Sequence, residues 1–182
     1  DTKKIDLQVG DNTADNYLWC NEPETSEGKI DYLIDGITGN DKNFFHSAWN
    51  GRKEPVHYLQ VYLGSTPVSQ FVFNYVTRTG ASYDFPTQFT IEGSNDNSAF
   101  EQIAVVNTNT SSANISYTSS LLGDEEKSYS YLRFKVTQTT DNRIYFHLAE
   151  FGLSSYGLKD TEENLAKKAI IDEAAAVLAD EN

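Results

Sequence analysis

Short stretches in which apolar and polar residues alternate occur along most of the chain. In residues 57–63, for example, Leu59, Val61 and Leu63 fall on one face. Because successive side chains of a strand point to opposite sides of the sheet, this period of two predicts β-strands. The predicted strands are 5–9, 57–63, 68–78, 88–93, 100–106, 130–138 and 148–156. Short strands separated by turn residues, with no helical period between them, predict an all-β antiparallel sandwich.

Two long polar segments interrupt this pattern and are predicted to be loops. Residues 107–116, NTNTSSANIS, are mostly small and polar. Residues 11–30 are rich in turn-forming residues and contain Pro23, Trp19 and Cys20. A tryptophan in such a loop either plugs the edge of the sandwich or offers its face to a ligand.

The character of the sequence changes after Gly157. Residues 160–182 are rich in alanine and contain no glycine, proline or aromatic residue, so they predict a helix. Asp160 or Thr161 can cap its start. Its apolar stripe consists of Leu165, Ala169, Ile170, Val177 and Leu178. The chain is therefore divided into a sandwich, 1–157, and a helical tail, 158–182. One helix cannot bury its own stripe, so the tail either packs on the sandwich or belongs to a further domain. We expect it to begin a further domain or to act as a linker.

Composition narrows the classes of function. Aromatic residues make up 13% of the 182 residues, which favours β-structure. The formal net charge of −13 argues against binding to nucleic acid or anionic membranes, because both require a basic face. No apolar run is long enough to predict membrane insertion. Cys20 is the single cysteine, so no internal disulfide can form.

The stretch from Leu33 to Trp49, LIDGITGNDKNFFHSAW, stands out from the strands around it. Its glycines, asparagines and aspartates favour turns, so it predicts a loop that ends in an aromatic cluster. Calcium takes six to eight oxygen ligands, and a loop of this composition can supply them. An ordinary solvated loop is the alternative, and the composition alone leaves both open.

Several of these segments together resemble a known family. The runs LIDG…FFHSAW, HYLQVYLG, FNYVTRTG, PTQFTIEGSND and LAEFGL resemble, in this order, the coagulation factor V/VIII C-type (discoidin-like) domain. The likeness is greatest to bacterial family 32 carbohydrate-binding modules and spans about residues 5 to 156. It implies a jelly-roll β-sandwich, to which the helical tail is an addition.

The resemblance also implies a structural calcium ion (Ca²⁺). The match carries over to Asp35 as a side-chain ligand and to Glu150 as the acidic residue that closes the site, next to the carbonyl of Ala149. The loop is about three residues longer than is usual in the family. The candidates for the middle ligands are therefore Asn40, Asp41 and Asn43. In the alternative interpretation, Asp35 only caps the turn and Glu150 pairs with a basic neighbour.

Family 32 modules bind sugars in a shallow site built from loops at one end of the sandwich. His46 matches the family's histidine after the aromatic residue, and Arg78 matches its arginine at the end of the long strand. Aromatic faces hold the apolar side of a sugar, and the predicted aromatic ligand-binding residues are Trp19, Tyr83, Tyr145 and Phe146. Trp49 and Phe85 are further loop aromatics that could supply such a face, but Trp49 is expected to plug the core instead. In the alternative interpretation, His46 only hydrogen-bonds the loop and Arg78 forms a surface ion pair.

The resemblance implies a non-catalytic module of a larger extracellular or cell-surface protein of a bacterium. We expect it to be monomeric and to bind a glycan terminus, with galactose-type sugars as candidates. The alternative is a structural or adhesion module without a sugar site. An enzyme is disfavoured for two reasons. Glycoside hydrolysis needs two facing carboxylates, and the acidic residues here are scattered or assigned to the predicted metal loop. The histidines, His46, His57 and His147, lack metal-ligand spacing.

Overall fold

Two mainly antiparallel sheets pack face to face in the computed structural model, which describes residues 1–11, 13, 15–157 and 162–181. With strands numbered in chain order, the five-stranded sheet contains β1 (Thr2–Lys4), β6 (Gln70–Val76), β9 (Ser116–Thr118), β10 (Leu122–Gly123) and β13 (Glu150–Tyr156). Strand β6 pairs with β13, β9 and β10, and β1 adds to the other edge of β13.

The second sheet has six strands. They are β2 (Gln8–Val9), β3 (Tyr17–Cys20), β5 (Tyr58–Tyr62), β7 (Pro86–Ser94), β8 (Glu101–Asn107) and β11 (Tyr131–Thr139), in the spatial order β2-β3-β5-β11-β7-β8. Only the short β2–β3 pair is parallel. A separate two-stranded ladder joins β4 (Phe45–His46) to β12 (His147–Leu148).

The core lies between the two sheets and follows the predicted alternation. Phe71, Phe73 and Tyr75 of β6 are buried, and the residues between them are half-buried. Phe73 packs on Phe134 of β11, with ring centroids 5.3 Å apart. The prediction of a β-sandwich is therefore confirmed, because the inward faces of both sheets carry the apolar half of the pattern.

The structure differs from the predicted elements near the N-terminus. Residues 5–9 were expected to form one strand, but the chain pairs only at Thr2–Lys4 and again at Gln8–Val9. The expectation of a loop around Trp19 was wrong, because Tyr17–Cys20 is strand β3. A short 3-10 helix, Ile30–Ile34, precedes the loop that begins at Asp35.

The predicted tail helix is present as α1 (Glu162–Asp180). The proposed caps, Asp160 and Thr161, and the side chain of Leu165 lie outside the described residues. Ala169, Ile170, Val177 and Leu178 of the stripe are exposed. The division into 1–157 and 158–182 as separate units stays a prediction. No helix in the described ranges is long and apolar enough to cross a membrane.

Removal of the tail is expected to leave the sandwich stable. Because Ile170 and Val177 are exposed, truncation after Tyr156 removes little buried apolar area, and the melting temperature should change by no more than about 2 °C. Leu153→Ala in β13 is the matched comparison, since Leu153 is fully buried and its truncation should cost about 2–5 kcal/mol. A large loss of stability on truncation would show that α1 packs on the sandwich.

Candidate functional site

The β4–β12 ladder brings two loops together at one end of the sandwich. His46 pairs with His147, and Phe45 pairs with Leu148. Ser47 extends the ladder, because its N–H donates to the Phe146 carbonyl (2.9 Å) and its hydroxyl accepts from the Phe146 N–H (2.9 Å). The apolar members, Phe45 and Leu148, belong to the core, and the two histidines lie on the opposite side of the ladder.

His46 is held as a neutral acceptor. Its Nδ1 lies 2.7 Å from the Ser47 carbonyl, and because a carbonyl can only accept, Nδ1 carries the proton. Burial lowers the pKa of His46, and the charge of Arg78 lowers it further. The unprotonated Nε2 is therefore a hydrogen-bond acceptor, in a residue that is 5% exposed.

His147 has a positioning role. It is fully buried, and its Nε2 donates to the Tyr83 carbonyl at 2.7 Å. Burial, helped by the positive charge of Arg78, lowers the pKa of His147 to about 3, so it stays neutral. Its ring lies 5.2 Å from the His46 ring and 5.4 Å from the Phe85 ring. His147 thereby ties the loop of Tyr83 to the loop of His46.

Trp49 lies at the surface beside His46, and the expectation that it plugs the core was wrong. Its side chain is 41% exposed, and its ring centroid is 6.5 Å from that of His46. The indole N–H donates to Glu27 at 2.9 Å. An exposed indole fixed in this way offers a rigid apolar face next to a polar acceptor.

The backbone of this loop is organised by the carboxylate of Glu24, which is buried. One oxygen accepts from the N–H groups of Thr25 and Ser26 and from the Ser26 hydroxyl. The other oxygen accepts from the N–H groups of Trp49 (3.1 Å) and Asn50 (3.0 Å). Desolvation opposes the charge, but these donors outweigh it and lower the pKa of Glu24 to about 2.

Arg78 follows the end of β6 and is half-buried at the same end of the molecule. Its guanidinium carbon lies 3.5 Å from the centroid of the Phe44 ring. Its Nε is buried and has no hydrogen-bond partner among the described residues. Burial lowers the pKa of Arg78, with Glu27 and Asp41 opposing that shift. The positive charge of Arg78 contributes to lowering the pKa of both histidines.

The tyrosines predicted for the site also lie at this end. Tyr83 is 55% exposed, and the Tyr145 ring lies 6.1 Å from that of His46. Arg143 lies near both tyrosines, with its guanidinium carbon 5.2 Å from the Tyr83 ring and 5.5 Å from the Tyr145 ring. Arg52 lies 5.4 Å from the Tyr145 ring.

Two predicted ligand-binding residues do not belong to this site. Phe146 is fully buried and packs edge-on against Phe45, because it follows Tyr145 in an extended segment and points to the opposite side. Trp19 lies on strand β3, where its ring packs 6.1 Å from Tyr58 on the outer face of the six-stranded sheet. Pairing with β5 holds Trp19 there.

The sequence prediction missed Arg52, Arg143 and the exposure of Trp49. A signal for Arg143 was present, since it stands two residues before Tyr145 in the polar run TTDNRIY. Its partner Asp84 had no such signal, because its role depends on a contact between loops 59 residues apart.

The predicted calcium ligands fall into two groups. Asp35 and Glu150 lie together: Glu150 accepts from the Gly36 N–H at 2.7 Å, and burial together with Asp35 raises the pKa of Glu150 to about 7. Asn43 joins them, donating from its amide nitrogen to Asp35 at 2.9 Å. A cavity of about 230 Å³ adjoins Asp35 and Glu150.

The remaining candidates lie elsewhere or serve the backbone. Asn40 accepts from the Lys42 N–H (2.9 Å) and closes a turn. Asp41 lies beside Gly80, where a Cβ on that glycine would be 2.9 Å from the Asp41 Cβ. Ala149 is fully buried and precedes Glu150 in the chain. In the described ranges no group of three or more His, Cys, Asp or Glu residues could hold a metal ion.

The residues present fit calcium to this extent: the exposed carboxylate of Asp35 and the half-buried carboxylate of Glu150 lie close together and repel each other. A cation between them would relieve that repulsion, and calcium accepts amide and carbonyl oxygens as its further ligands. Asp35 and Glu150 would hold the ion, and the Asn43 amide could present its oxygen.

Comparisons with known proteins agree with this architecture. The family model of the F5/8 type C domain matches residues 14–151. No curated protein sequence matches the chain. Solved structures that match include CpGH89CBM32-5 from Clostridium perfringens, in complex with GalNAc-β-1,3-galactose, with a TM-score of 0.57 and 18% identity over 75% of this chain and 92% of that one.

Two further structures show the same fold. The family 32 module of NanJ from C. perfringens, in complex with galactose, has a TM-score of 0.54 and 19% identity, over 76% of this chain and 92% of that one. The C-terminal domain of a chitobiase from Bacteroides fragilis has a TM-score of 0.57 and 18% identity, over 78% and 93%. Identities this low establish the fold alone.

Glu24→Gln should destabilise the protein and reduce its sensitivity to acid. The folded pKa of Glu24, about 2, is below its ordinary value of 4.5, so the carboxylate stabilises the fold above about pH 4.5. That stabilisation is lost as the pH falls towards 2. We expect a loss of about 2 kcal/mol at neutral pH, measured by chemical denaturation, because several charge-assisted hydrogen bonds weaken.

Melting temperatures measured from neutral pH down to about pH 3 check the linkage. They should fall less steeply for Glu24→Gln than for the unchanged protein. Glu125→Gln is the matched control, since Glu125 is exposed. Equal acid sensitivity of the protein and Glu24→Gln would contradict the role of Glu24.

Proposed function

We propose that this chain, which belongs to the F5/8 type C domain family, is a non-catalytic carbohydrate-binding module that takes a glycan terminus at the His46 end of its sandwich. We further propose that it serves a secreted or cell-surface protein of a bacterium. The matched structures from Clostridium perfringens and Bacteroides fragilis support this assignment by their shared fold.

One observation carries the proposal: an acceptor, a charged donor and an exposed aromatic face converge at one end. His46 supplies the acceptor, Arg78 supplies the donors, and Trp49 supplies the face. A sugar needs all three, because its C–H side is apolar and its hydroxyl groups both donate and accept. Tyr83 and Tyr145 extend the aromatic rim.

The charges of these groups suit hydroxyl recognition. Neutral His46 accepts from a sugar hydroxyl through Nε2, and the guanidinium of Arg78 can donate to one or two hydroxyl oxygens. Hydrogen bonds hold two of the three groups in place before the ligand arrives. His46 is held by Ser47, and Trp49 is held by Glu24 and Glu27. The ordering cost of binding therefore falls mainly on the sugar.

Galactose-type sugars are the first candidates. Two of the matched modules were solved with galactose and with GalNAc-β-1,3-galactose. A shallow site makes few contacts with a flexible sugar, so we expect a Kd near 1 mM, about −4 kcal/mol.

We also propose a structural calcium ion between Asp35 and Glu150. The support is that two carboxylates from residues 115 positions apart lie close together, Asp35 exposed and Glu150 half-buried, with the Asn43 amide on Asp35. The ion would join the loop after the 3-10 helix to the first residue of β13. Such a link stabilises the folded chain because it exists only there.

Arg78→Ala should abolish glycan binding. The experiment is isothermal titration calorimetry with methyl β-galactoside, preceded by a broad glycan array. Because Arg78 covers Phe44, we expect a stability loss of about 1 kcal/mol, which leaves the protein folded. Arg133→Ala is the matched control, since Arg133 stacks on Tyr58 and Phe100 of another surface.

Two results would contradict the site. One is an array without any hit, which would favour the structural or adhesion role. The other is binding that survives the double substitution Arg78→Ala and His46→Ala.

Chelation of calcium should lower the melting temperature by several degrees. A ligand bound only to the native state stabilises it by about 2.7 kcal/mol at one hundred times Kd. The measurement is thermal unfolding in excess calcium and in excess chelator. Asp35→Ala should remove the difference, and Asp31→Ala in the neighbouring 3-10 helix should retain it. Identical unfolding curves for the unchanged protein under both conditions would refute the calcium site.

A further inference from the structure

The arginines of this acidic chain are unevenly placed. The formal net charge is −13, and the sequence contains four arginines, at positions 52, 78, 133 and 143. Arg78 lies over Phe44, and Arg52 and Arg143 both lie near the Tyr145 ring. Three of the four therefore gather at the end that carries His46, where a neutral sugar would need at most one.

Arg143 is fixed by a buried partner. Its Nε donates to the Asp84 carboxylate at 2.6 Å, and Asp84 is 2% exposed. Asp84 is held in turn, because its backbone N–H donates to Asp141 at 2.7 Å. Among the described residues Nε is the only guanidinium nitrogen of Arg143 with a side-chain acceptor, so the two terminal nitrogens remain available.

Arg52 stands next to the same tyrosine without an acidic partner. It lies 5.4 Å from the Tyr145 ring, and it is exposed. In the described part of the chain no carboxylate lies within salt-bridge distance of Arg52, whereas Arg143 has Asp84. The two guanidinium groups near Tyr145 therefore retain more donors than the protein satisfies.

Three of the carboxylates at this end already accept hydrogen bonds within the protein. Glu27 accepts from the Trp49 indole. Asp141 accepts from the Asp84 N–H and from the Thr140 hydroxyl. Asp84 is buried on Arg143, and Asp41 lies beside Gly80. These groups cancel part of the positive charge, so recognition would depend on directed donors more than on a general positive field.

We propose that Arg52 and Arg143, which both lie near the Tyr145 ring, form a subsite for an anionic substituent of the glycan, a carboxylate or a sulfate ester. Planar guanidinium groups bind both anions through paired, charge-assisted hydrogen bonds. The inference rests on the proposed function, because the subsite adjoins the sugar site at His46. Asp84 is a positioning residue that aims Arg143.

The test is calorimetric titration of the full chain with three probes: methyl β-galactoside, a methyl galacturonoside and galactose 6-sulfate. At low ionic strength the anionic probes should bind about tenfold more tightly than the neutral one. That advantage should shrink in about 0.5 M salt, because exposed charges are screened. The tighter of the two anionic probes identifies the preferred group.

The variants are Arg143→Gln, Arg52→Gln and Asp84→Asn. Each should lower the ratio of anionic to neutral affinity towards one. For Asp84→Asn this ratio separates loss of positioning from general destabilisation, which would weaken all probes alike. Arg133→Gln is the matched control and should keep the ratio, because Arg133 lies on the sheet face between Tyr58 and Phe100.

The outcomes distinguish the two proposals. If the neutral probe binds and the anionic probes bind no more tightly, the anion subsite is overturned and the proposed function stands. If no probe binds, the proposed function fails and the subsite with it. A preference for anionic probes that survives both Arg143→Gln and Arg52→Gln would overturn the assignment of these residues.

Discussion

The two-residue ladder between β4 and β12 is the constraint on which the functional end depends. It joins His46 to His147, residues 101 positions apart, and Ser47 extends it with two hydrogen bonds to Phe146. Without the ladder, no backbone pairing would hold the loop of Trp49 next to the loop of Tyr145. The ladder is short, but its apolar members are part of the core, so moving it would expose Phe45 and Leu148.

Buried carboxylates hold the loops that the ladder brings together. Glu24 collects backbone N–H groups from both sides of the first loop, and Asp84 holds Arg143 in the second. A buried charge is costly unless donors surround it, so each carboxylate confines its loop to the conformation that supplies them. The buried carboxylates therefore explain how loops without regular secondary structure can hold the side chains of the site in fixed positions.

The His46 side and the Tyr145 side of the site differ in their balance of hydrogen-bond donors and acceptors. On the His46 side, acceptor and donor are balanced as a neutral sugar requires. On the Tyr145 side, the arginines exceed the acceptors that the protein provides. The corner of Asp35 and Glu150 shows the opposite imbalance, since two carboxylates meet there with backbone and amide donors alone.

The sequence by itself determined the sandwich and the tail helix, because both depend on local periodicity. The alternation of apolar and polar residues in β6 and β11 can be read from the sequence, because each strand buries one face. The absence of helix breakers after residue 160 can be read there too. The likeness to a known family placed His46 and Arg78 at one end. Only the tertiary structure decided which aromatic residues reach solvent: Tyr145 and Phe146 are neighbours of similar size, and the ladder register points one outward and the other into the core. The tertiary structure also decided that Trp19 lies on a sheet face and that Asp84 pairs with Arg143. Contacts between distant segments cannot be read from the local sequence pattern.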